Sequence, residues 1–600
     1  MCSRERSYML PKPINATCST YRLHVQRSPH CGLLLSIQER LMVITAITLE
    51  NFKGIKGPCR IKLKPLTMLF GANSAGKSTV VQALHYAREI FLRQNTDPDK
   101  TLLGGSMDLG GFSNLVYKHD QSLPIKITFD LDLSADPLPD YYDTDDSKLW
   151  DQEQIELKEA VGRVNSASVG IAVQVIEDDS LNPMAGKPAV TEYSVMVNEE
   201  SLATLNFLPG KELVYLSLNP FNSVYWDNND GSAAFKREIE AALDGGDYDG
   251  VDAGALNKLI NWWAGTPDDL DNEIVDYFSH RKILRGMTSP LPQWERILPV
   301  SKSFESDIPL EDYSAVIEAT HIISSCLTSL ITGPGEMVRN DLEKMCYLGP
   351  IREVPERNYV EVKSPDPSRW SNGLAAWDAL CNQGEALIKD ANKWLASDER
   401  LDSGYRLEME IFRRINENGR LMAALRSGRS LDDYQQELND ILAQRPEKRL
   451  YLVEEAKNIK VMPQDIGVGI SQVLPVVVAS LVTRNSILSI EQPELHIHPK
   501  LQVGLGDLFI HESTTKGNCF IIETHSEHLM LRIMRRIRQT SSNELPPHAP
   551  KLDPEQVAIY HIRATEDGTI FKEILIDKDG DFLTRWPGGF FAERSEELFS

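Results

Sequence analysis

The stretch Gly71-Ala72-Asn73-Ser74-Ala75-Gly76-Lys77-Ser78-Thr79 decides how the chain is read. It fits the spacing G-x-x-x-x-G-K-[ST] in full. Its flanks fit as well. Residues 65–70 before it are apolar and strand-like, and residues 80–87 after it carry apolar side chains at a helical rhythm. A strand, a glycine-bearing loop and a helix together aim backbone N–H groups and a helix N-terminus at one place, where a phosphate chain can rest. Gly71 and Gly76 permit backbone conformations and a close approach that a side chain would block. In such a loop Lys77 reaches the β- and γ-phosphates and the Ser78 hydroxyl sits on Mg²⁺. The nine residues are therefore expected to bind ATP with Mg²⁺, with Ser78 as one metal ligand.

The chain has 600 residues, enough for several domains' worth of core. Its net charge of -24 argues against a broad nucleic-acid-coating surface, because neutralising phosphates takes clustered Lys and Arg. A local basic groove remains compatible, so nucleic acid stays open as a partner. No stretch approaches the roughly 20 apolar residues that cross a bilayer, and no membrane partner is expected. The eight cysteines are scattered and form no C-x-x-C pair. Neither a zinc ribbon nor a disulfide framework is indicated, and a reduced cytoplasm fits best.

Residues 1–41 differ in character from the rest of the chain. They hold three of the eight cysteines and show no periodicity. They read as a loose N-terminal extension, foreign to the fold, with Met42 as the alternative start. Residues 42–209 read as the first half of an ATPase head: strands, the phosphate loop, a helix and an antiparallel β subdomain. An acidic loop covers 133–160. Residues 210–345 read as a mainly helical insertion, with loops such as Asp244-Gly245-Gly246-Asp247. Residues 346–464 read as a helical and linking segment, helical over 372–445. Residues 465–600 return to strand, turn and helix. The fold class is α/β.

Four later stretches carry chemistry. Asp465-Ile466-Gly467-Val468-Gly469-Ile470-Ser471-Gln472 places glycines and a hydroxyl at a helix start, a second anion site by the same dipole logic. Ser486-Ile487-Leu488-Ser489-Ile490-Glu491-Gln492-Pro493-Glu494 is an apolar strand ending in carboxylates, which a Mg²⁺–water site needs, and Glu491 is the natural metal-side acid. Leu495-His496-Ile497-His498-Pro499 contains H-x-H, better read as a turn than as a metal pair, since no third ligand stands at usable spacing. Phe520-Ile521-Ile522-Glu523-Thr524-His525-Ser526 is another strand ending in a polar cluster, with His525 able to touch a γ-phosphate or the attacking water.

In that order the set resembles the ABC-type ATPase heads of the RecF, SMC and OLD group: P-loop, signature turn, Walker B strand, switch histidine. It is similar in spelling to the small bacterial OLD-like AAA-family ATPases of antiphage systems. The matching residues are Leu49-Glu50-Asn51-Phe52-Lys53-Gly54, the P-loop, Tyr347-Leu348-Gly349-Pro350-Ile351-Arg352-Glu353, Gly469-Ile470-Ser471-Gln472, Glu491-Gln492-Pro493-Glu494-Leu495-His496 and Trp586-Pro587-Gly588-Gly589-Phe590-Phe591. The resemblance leaves 1–41 and about 210–340 uncovered. It implies that two heads sandwich ATP and that Gly469, Ser471 and Gln472 of one cap the nucleotide held by the other. Glu491, Gln492, Glu494 and His525 become the catalytic set.

One departure matters. Such Walker B strands usually end Asp-Glu, and here the pair is Glu491-Gln492. An amide orients water but cannot take its proton. Either Glu494 or His525 helps, or hydrolysis is slow and the ATP-bound dimer persists. Asp577-Lys578-Asp579-Gly580-Asp581 reads as a hairpin turn and not as the metal site of a Toprim nuclease. The expectation is a slow ATPase forming a homodimer or higher oligomer and switching a separate effector, such as a nuclease, in antiphage defence. The competing readings are a RecF/SMC-like ATPase acting on DNA in repair or recombination, and a scaffold whose ATP site only fixes assembly. Arg352 either senses nucleotide or pairs with an acid.

Overall fold

The computed structural model describes residues 43–99, 107–141, 160–176, 186–208, 213–219, 222–225, 281–284, 286–300 and 313–589, except 358, 365, 429, 431–433 and 588. The extension 1–41, most of the acidic loop, the 244–247 turn, Gly588 and Phe590-Phe591 lie outside the described residues.

The chain begins with β1 (Ile44–Glu50), β2 (Cys59–Lys62), β3 (Leu66–Gly71) and helix α1 (Thr79–Arg93). Next come β4 (Ile125–Asp132), β5 (Ser166–Val175), β6 (Pro188–Val197), β7 (Glu200–Leu208), β8 (Leu213–Leu218), β9 (Arg281–Leu284) and α2 (Tyr313–Glu343). The middle holds β10 (Cys346–Leu348), α3 (Leu374–Gln383), α4 (Glu385–Leu395), β11 (Tyr405–Phe412), α5 (Arg420–Ser427), α6 (Gln435–Ala443), β12 (Glu447–Glu454) and β13 (Ile459–Val461). The last part runs α7 (Val468–Val482), β14 (Ile487–Glu491), α8 (Pro499–Lys516), β15 (Cys519–Glu523), α9 (Glu527–Ser541), β16 (Val557–Thr565) and β17 (Gly568–Glu573).

Three sheets result. Eight antiparallel strands run in the order β2-β1-β4-β5-β6-β7-β8-β9. Six run β10-β14-β15-β3-β16-β17, parallel except for the last pair. A three-stranded antiparallel sheet is β11-β12-β13. In the six-stranded sheet β3 is apolar and buried on both faces, as a central parallel strand must be. Leu69, Ile487, Cys519 and Ile521 face a core shared with α1, α2 and the eight-stranded sheet. Met68, Phe70, Leu488, Ile490, Phe520 and Ile522 face a second core built from α3, α4, α7, α8 and α9. The period of two within each strand thus assigns alternate residues to two different cores. The fold is an α/β P-loop NTPase with an antiparallel β subdomain.

Two expectations change. The described part of 210–345 is not only helical. β8 and β9 extend the antiparallel sheet, pairing Val214 with Leu284 and Ser217 with Arg281. Among the described residues there, α2 carries the helical character, packing on α1, with the Arg88 Nε donating to the Leu342 carbonyl at 3.1 Å. Likewise 372–445 contains β11, whose charged alternation Tyr-Arg-Leu-Glu-Met-Glu-Ile-Phe hides a strand stabilised by eight pairings to β12.

Gly71 is fixed by this packing. Its φ is +155°, and a Cβ there would stand 2.3 Å from the Ile562 carbonyl oxygen of β16. Gly71→Ala is therefore expected to lower unfolding free energy by about 1–3 kcal/mol, read by urea denaturation. An unchanged midpoint would show that β16 yields at no cost.

Candidate functional site

The site grows from the end of β3. The chain turns at Gly71, passes Ser74 at φ 61° and Gly76 at φ 98°, and enters α1 at Thr79 with Ser78 as its cap residue. The left-handed residues fold the loop back so that its amides face inward. Lys77 is only 4% exposed. Its Nζ donates to the Gly71 and Ala72 carbonyls at 3.1 and 3.0 Å and lies 3.9 Å from the Glu523 carboxylate. Burial pushes its pKa down, and the Glu523, Glu494 and Glu491 charges work against that. The Ser78 hydroxyl donates to Glu523 Oε2 at 2.7 Å.

Sheet register brings the carboxylates together. β14 and β15 run parallel with Glu491 opposite Glu523, and β15 is itself hydrogen-bonded to β3. Burial pushes the Glu491 carboxyl up to about 7, with the Glu523 charge adding to it. Glu523 is also raised, chiefly by burial, while the Ser78 hydrogen bond and Lys77 pull it down. Tyr347, on β10 beside β14, donates its hydroxyl to Glu491 Oε1 at 3.0 Å. The Arg352 Nη2 donates to the Glu491 backbone carbonyl at 2.7 Å.

The remaining expected residues fall into two groups. Gln492 comes directly after β14 with φ 43°, and its backbone N–H donates to the Glu523 carbonyl at 2.7 Å. Glu494 is locked: its two oxygens accept from the Thr524 hydroxyl at 2.8 Å and the His525 backbone N–H at 2.7 Å. His525 is exposed. The part of it against the protein, with Lys77 nearby, holds its pKa down. These three gather with Lys77, Ser78, Glu491 and Glu523 around one pair of strand ends.

The α7 residues do not all join them. Gly469 is half-buried, and Ser471 and Gln472 are only 2% and 5% exposed. The Ser471 hydroxyl donates to the Val468 carbonyl of its own turn at 2.8 Å. Gln472 clamps the Arg352 backbone, accepting its N–H at 3.1 Å and donating to its carbonyl at 2.7 Å. Both side chains thus serve the helix and the neighbouring loop, contrary to the expectation that they face a ligand. The accessible part of α7 is its start, where Val468 is 56% exposed and Gly467, the residue before it, is exposed as well.

Glu523 is not singled out by the sequence. A strand ending in a polar cluster is visible there, but only the register with Glu491 shows which member points at Ser78. His498 caps α8, its Nδ1 accepting from the Lys500 N–H at 3.2 Å. Asp577 closes a turn, its carboxylate accepting from the Asp579 and Asp581 amides at 2.9 Å, beneath an Ile576–Phe582 bridge. A cleft of about 500 Å³ opens beside the loop, lined by residues 71–75, His525, His561, Arg563 and Trp586. Trp586 packs edge-on against Phe70 at 5.4 Å, so the C-terminal stretch flanks the loop.

The donor set suits Mg²⁺ with a nucleotide. Ser78, Glu491 and Glu523 are hard oxygen donors, and Mg²⁺ takes one or two carboxylates with phosphate and water. The two adjacent carboxylates, Glu523 buried and Glu491 half-buried with its carboxyl pushed up to about 7, are short of positive charge. Ser78, Glu491 and Glu523 would hold the ion, which would neutralise phosphate charge. Lys77 would give up its loop carbonyls for phosphate oxygens.

Fold and site together define a P-loop ATPase-type protein. Residues 42–180 match the family described as "AAA ATPase domain". Residues 389–531 match "AAA domain, putative AbiEii toxin, Type IV TA system". Residues 552–600 match "Protein of unknown function (DUF3696)". No curated protein matches the chain. Among solved structures, an SMC head bound to the C-winged helix domain of ScpA is similar at 9% identity and TM-score 0.33, covering 89% of this chain and 98% of that one. An SMC head domain with an extended coiled coil, bound to the C-terminal domain of ScpA derived from Pyrococcus furiosus, is similar at 10% identity and TM-score 0.33, covering 93% and 98%. The SMC head domain from Thermotoga maritima is similar at 7% identity and TM-score 0.32, covering 89% and 100%.

Glu491 makes stability depend on pH. Its carboxyl holds a proton up to about 7 when folded and to an ordinary 4.5 otherwise, so the folded state binds more protons between those values. Stability therefore falls as pH rises through this window, by about 3 kcal/mol from this group when divalent cations are absent. Glu491→Gln should flatten that part of the profile in chelator-treated protein. Parallel profiles for variant and wild type would show that Glu491 ionises freely.

Proposed function

We propose that the protein binds ATP with Mg²⁺ between two copies of its head, hydrolyses it slowly, and uses the nucleotide-closed dimer to switch a separate effector. The observation that carries the reading is a half-built site. Lys77, Ser78, Glu491 and Glu523 meet at adjacent strand ends. The start of α7, meanwhile, presents backbone and Val468 to the outside. Gly467, Val468 and Gly469, at the positive end of a 15-residue helix, are the part of α7 fit to meet the phosphates of a second head. Ser471 supports that end from within.

In this reading Lys77 and the loop amides hold the β- and γ-phosphates. Ser78, Glu491 and Glu523 hold the metal. His525, exposed and with its pKa held down by its contact with the protein and by Lys77, donates or accepts a hydrogen bond at the γ-phosphate or water. Gln492 orients water without taking its proton, and Glu494 is committed to Thr524 and the His525 backbone. Glu523 and Glu491 are left as the carboxylates that can accept a proton, and both are partly engaged, which supports slow turnover. The effector reading draws on the match of 389–531 to the AbiEii toxin-type domain and on the OLD-like spelling. It gives the chain a place in antiphage defence beside a partner such as a nuclease.

The mass of the protein in solution, with and without ATP, tests this. Wild type should dimerise on adding ATP and turn over below about ten per second. Lys77→Ala should lose ATP-driven dimerisation. Val468→Arg should bind ATP in one head yet stay monomeric. A Val468→Arg protein that still dimerises with ATP sinks the head sandwich. Salt-sensitive duplex DNA binding by the isolated chain would favour a repair ATPase instead.

A further inference from the structure

Arg352 lies where two links meet. It is 1% exposed, among the largest fully buried side chains. Through its backbone it belongs to α7, because Gln472 grips both its N–H and its carbonyl. Through its side chain it belongs to β14, because Nη2 donates to the Glu491 carbonyl at 2.7 Å. Five residues earlier, Tyr347 holds the Glu491 carboxylate itself. The stretch from Tyr347 to Arg352 thus touches both the backbone and the side chain of the metal-side acid. It is also bolted to the helix whose first residues face outward.

The guanidinium is only partly used. Nε and Nη1 are buried without a hydrogen-bond partner among the described residues. A buried arginine kept only for stability would normally sit in a carboxylate fork. This one spends a single nitrogen on a carbonyl, with the Glu494 and Glu491 charges as its strongest electrostatic neighbours. Donors left unmet in a low dielectric are costly, so a single bond to the Glu491 carbonyl holds this guanidinium beside the 491–494 turn.

We propose that Arg352 is a positioning residue that couples the two ATP sites of a dimer. Contact between the start of α7 and nucleotide on the partner head shifts α7. Gln472 carries the shift to Arg352, and the guanidinium passes it to Glu491 in the chain's own site. Each site then reaches its working geometry only when the other is engaged. This inference rests on the two-head reading of the ATP site.

The test uses the full-length protein and ATP. Wild-type turnover should rise sigmoidally with ATP concentration. Arg352→Lys keeps the charge but loses the planar fork. Gln472→Leu cuts the helix from the loop and leaves the guanidinium in place, so the test survives if one variant fails to fold. Both should bind ATP within about two-fold of wild type and still dimerise. Turnover at saturation should fall by about ten-fold or more, with the Hill coefficient dropping toward one. Wild-type turnover and sigmoidicity in a folded variant would overturn the coupling. So would loss of ATP binding in step with stability at unchanged turnover per bound nucleotide, which marks a merely structural residue. A wild-type protein that stays monomeric with ATP fails the two-head reading first, and the coupling with it.

Discussion

Two carboxylates on neighbouring parallel strands, Glu491 and Glu523, are the constraint around which the centre of this molecule is arranged. Both are largely buried, and a pair of like charges in a low dielectric cannot stand alone. Every polar group nearby can be read as an answer to that problem. Lys77 lies within ion-pair distance, Ser78 and Tyr347 donate hydroxyls, and Arg352 brings a guanidinium to the strand end. The answer is incomplete, since burial still pushes Glu491 up to about 7. A divalent cation with a phosphate chain would complete it. The geometry that sets the two carboxylates against each other is the same geometry that suits them to share an ion.

The sheet order explains how residues hundreds of positions apart come to share that place. β15 lies between β3 and β14, so the phosphate loop and the two acids sit at the same ends of three consecutive strands. Both faces of this sheet are covered, one by α1, α2 and the eight-stranded sheet, the other by α3, α4, α7, α8 and α9. Such covering leaves the strand ends open, which is where ligands enter parallel α/β sheets. The β16–β17 hairpin closes one flank of the loop. The Thr569 N–H donates to the Gly54 carbonyl at 2.7 Å, and the Thr569 side chain stands against Gly76.

Much of this is legible in the chain because apolar runs bounded by polar ends are a strong signal. β14 and β15 show it, β1 and β4 alternate apolar and polar residues, and the loop before α1 has a spacing few other structures use. The parts that are not legible have physical reasons. β11 alternates through charged residues, so its hydrophobic face is thin and pairing with β12 decides its state. β9 is four residues long and gains its identity from β8. Ser471 is expected at the ligand because it comes after glycines. α7, however, is apolar on nearly every side and buried from Ile470 to Ser480, so a small hydroxyl in its first turn faces inward and bonds its own backbone. Glu523 escapes because its partner on β14 is distant in sequence and only register reveals the pairing.

Arg352 shows why such a site resists reading from motifs alone. Its neighbours in sequence suggest a loop, and its charge suggests a surface. Yet Ile351 beside it is 74% exposed while Arg352 is 1% exposed. The inversion puts the hydrophobe in solvent and the cation in the interior. Burying a guanidinium with two idle nitrogens is costly, and a fold that tolerates it gains something that an apolar residue of the same size could not provide. An apolar side chain would fill the space, but it could neither hold the Glu491 carbonyl nor respond to the carboxylate of Glu494. On the proposed reading, what it provides is a lever: a charged group whose best partners appear only when the two ends of the site move together. Gln492 strengthens the case, because its left-handed backbone and its bond to the Glu523 carbonyl tie the turn after β14 to β15. On that reading, movement at Glu491 would pass through this bond to the second acid.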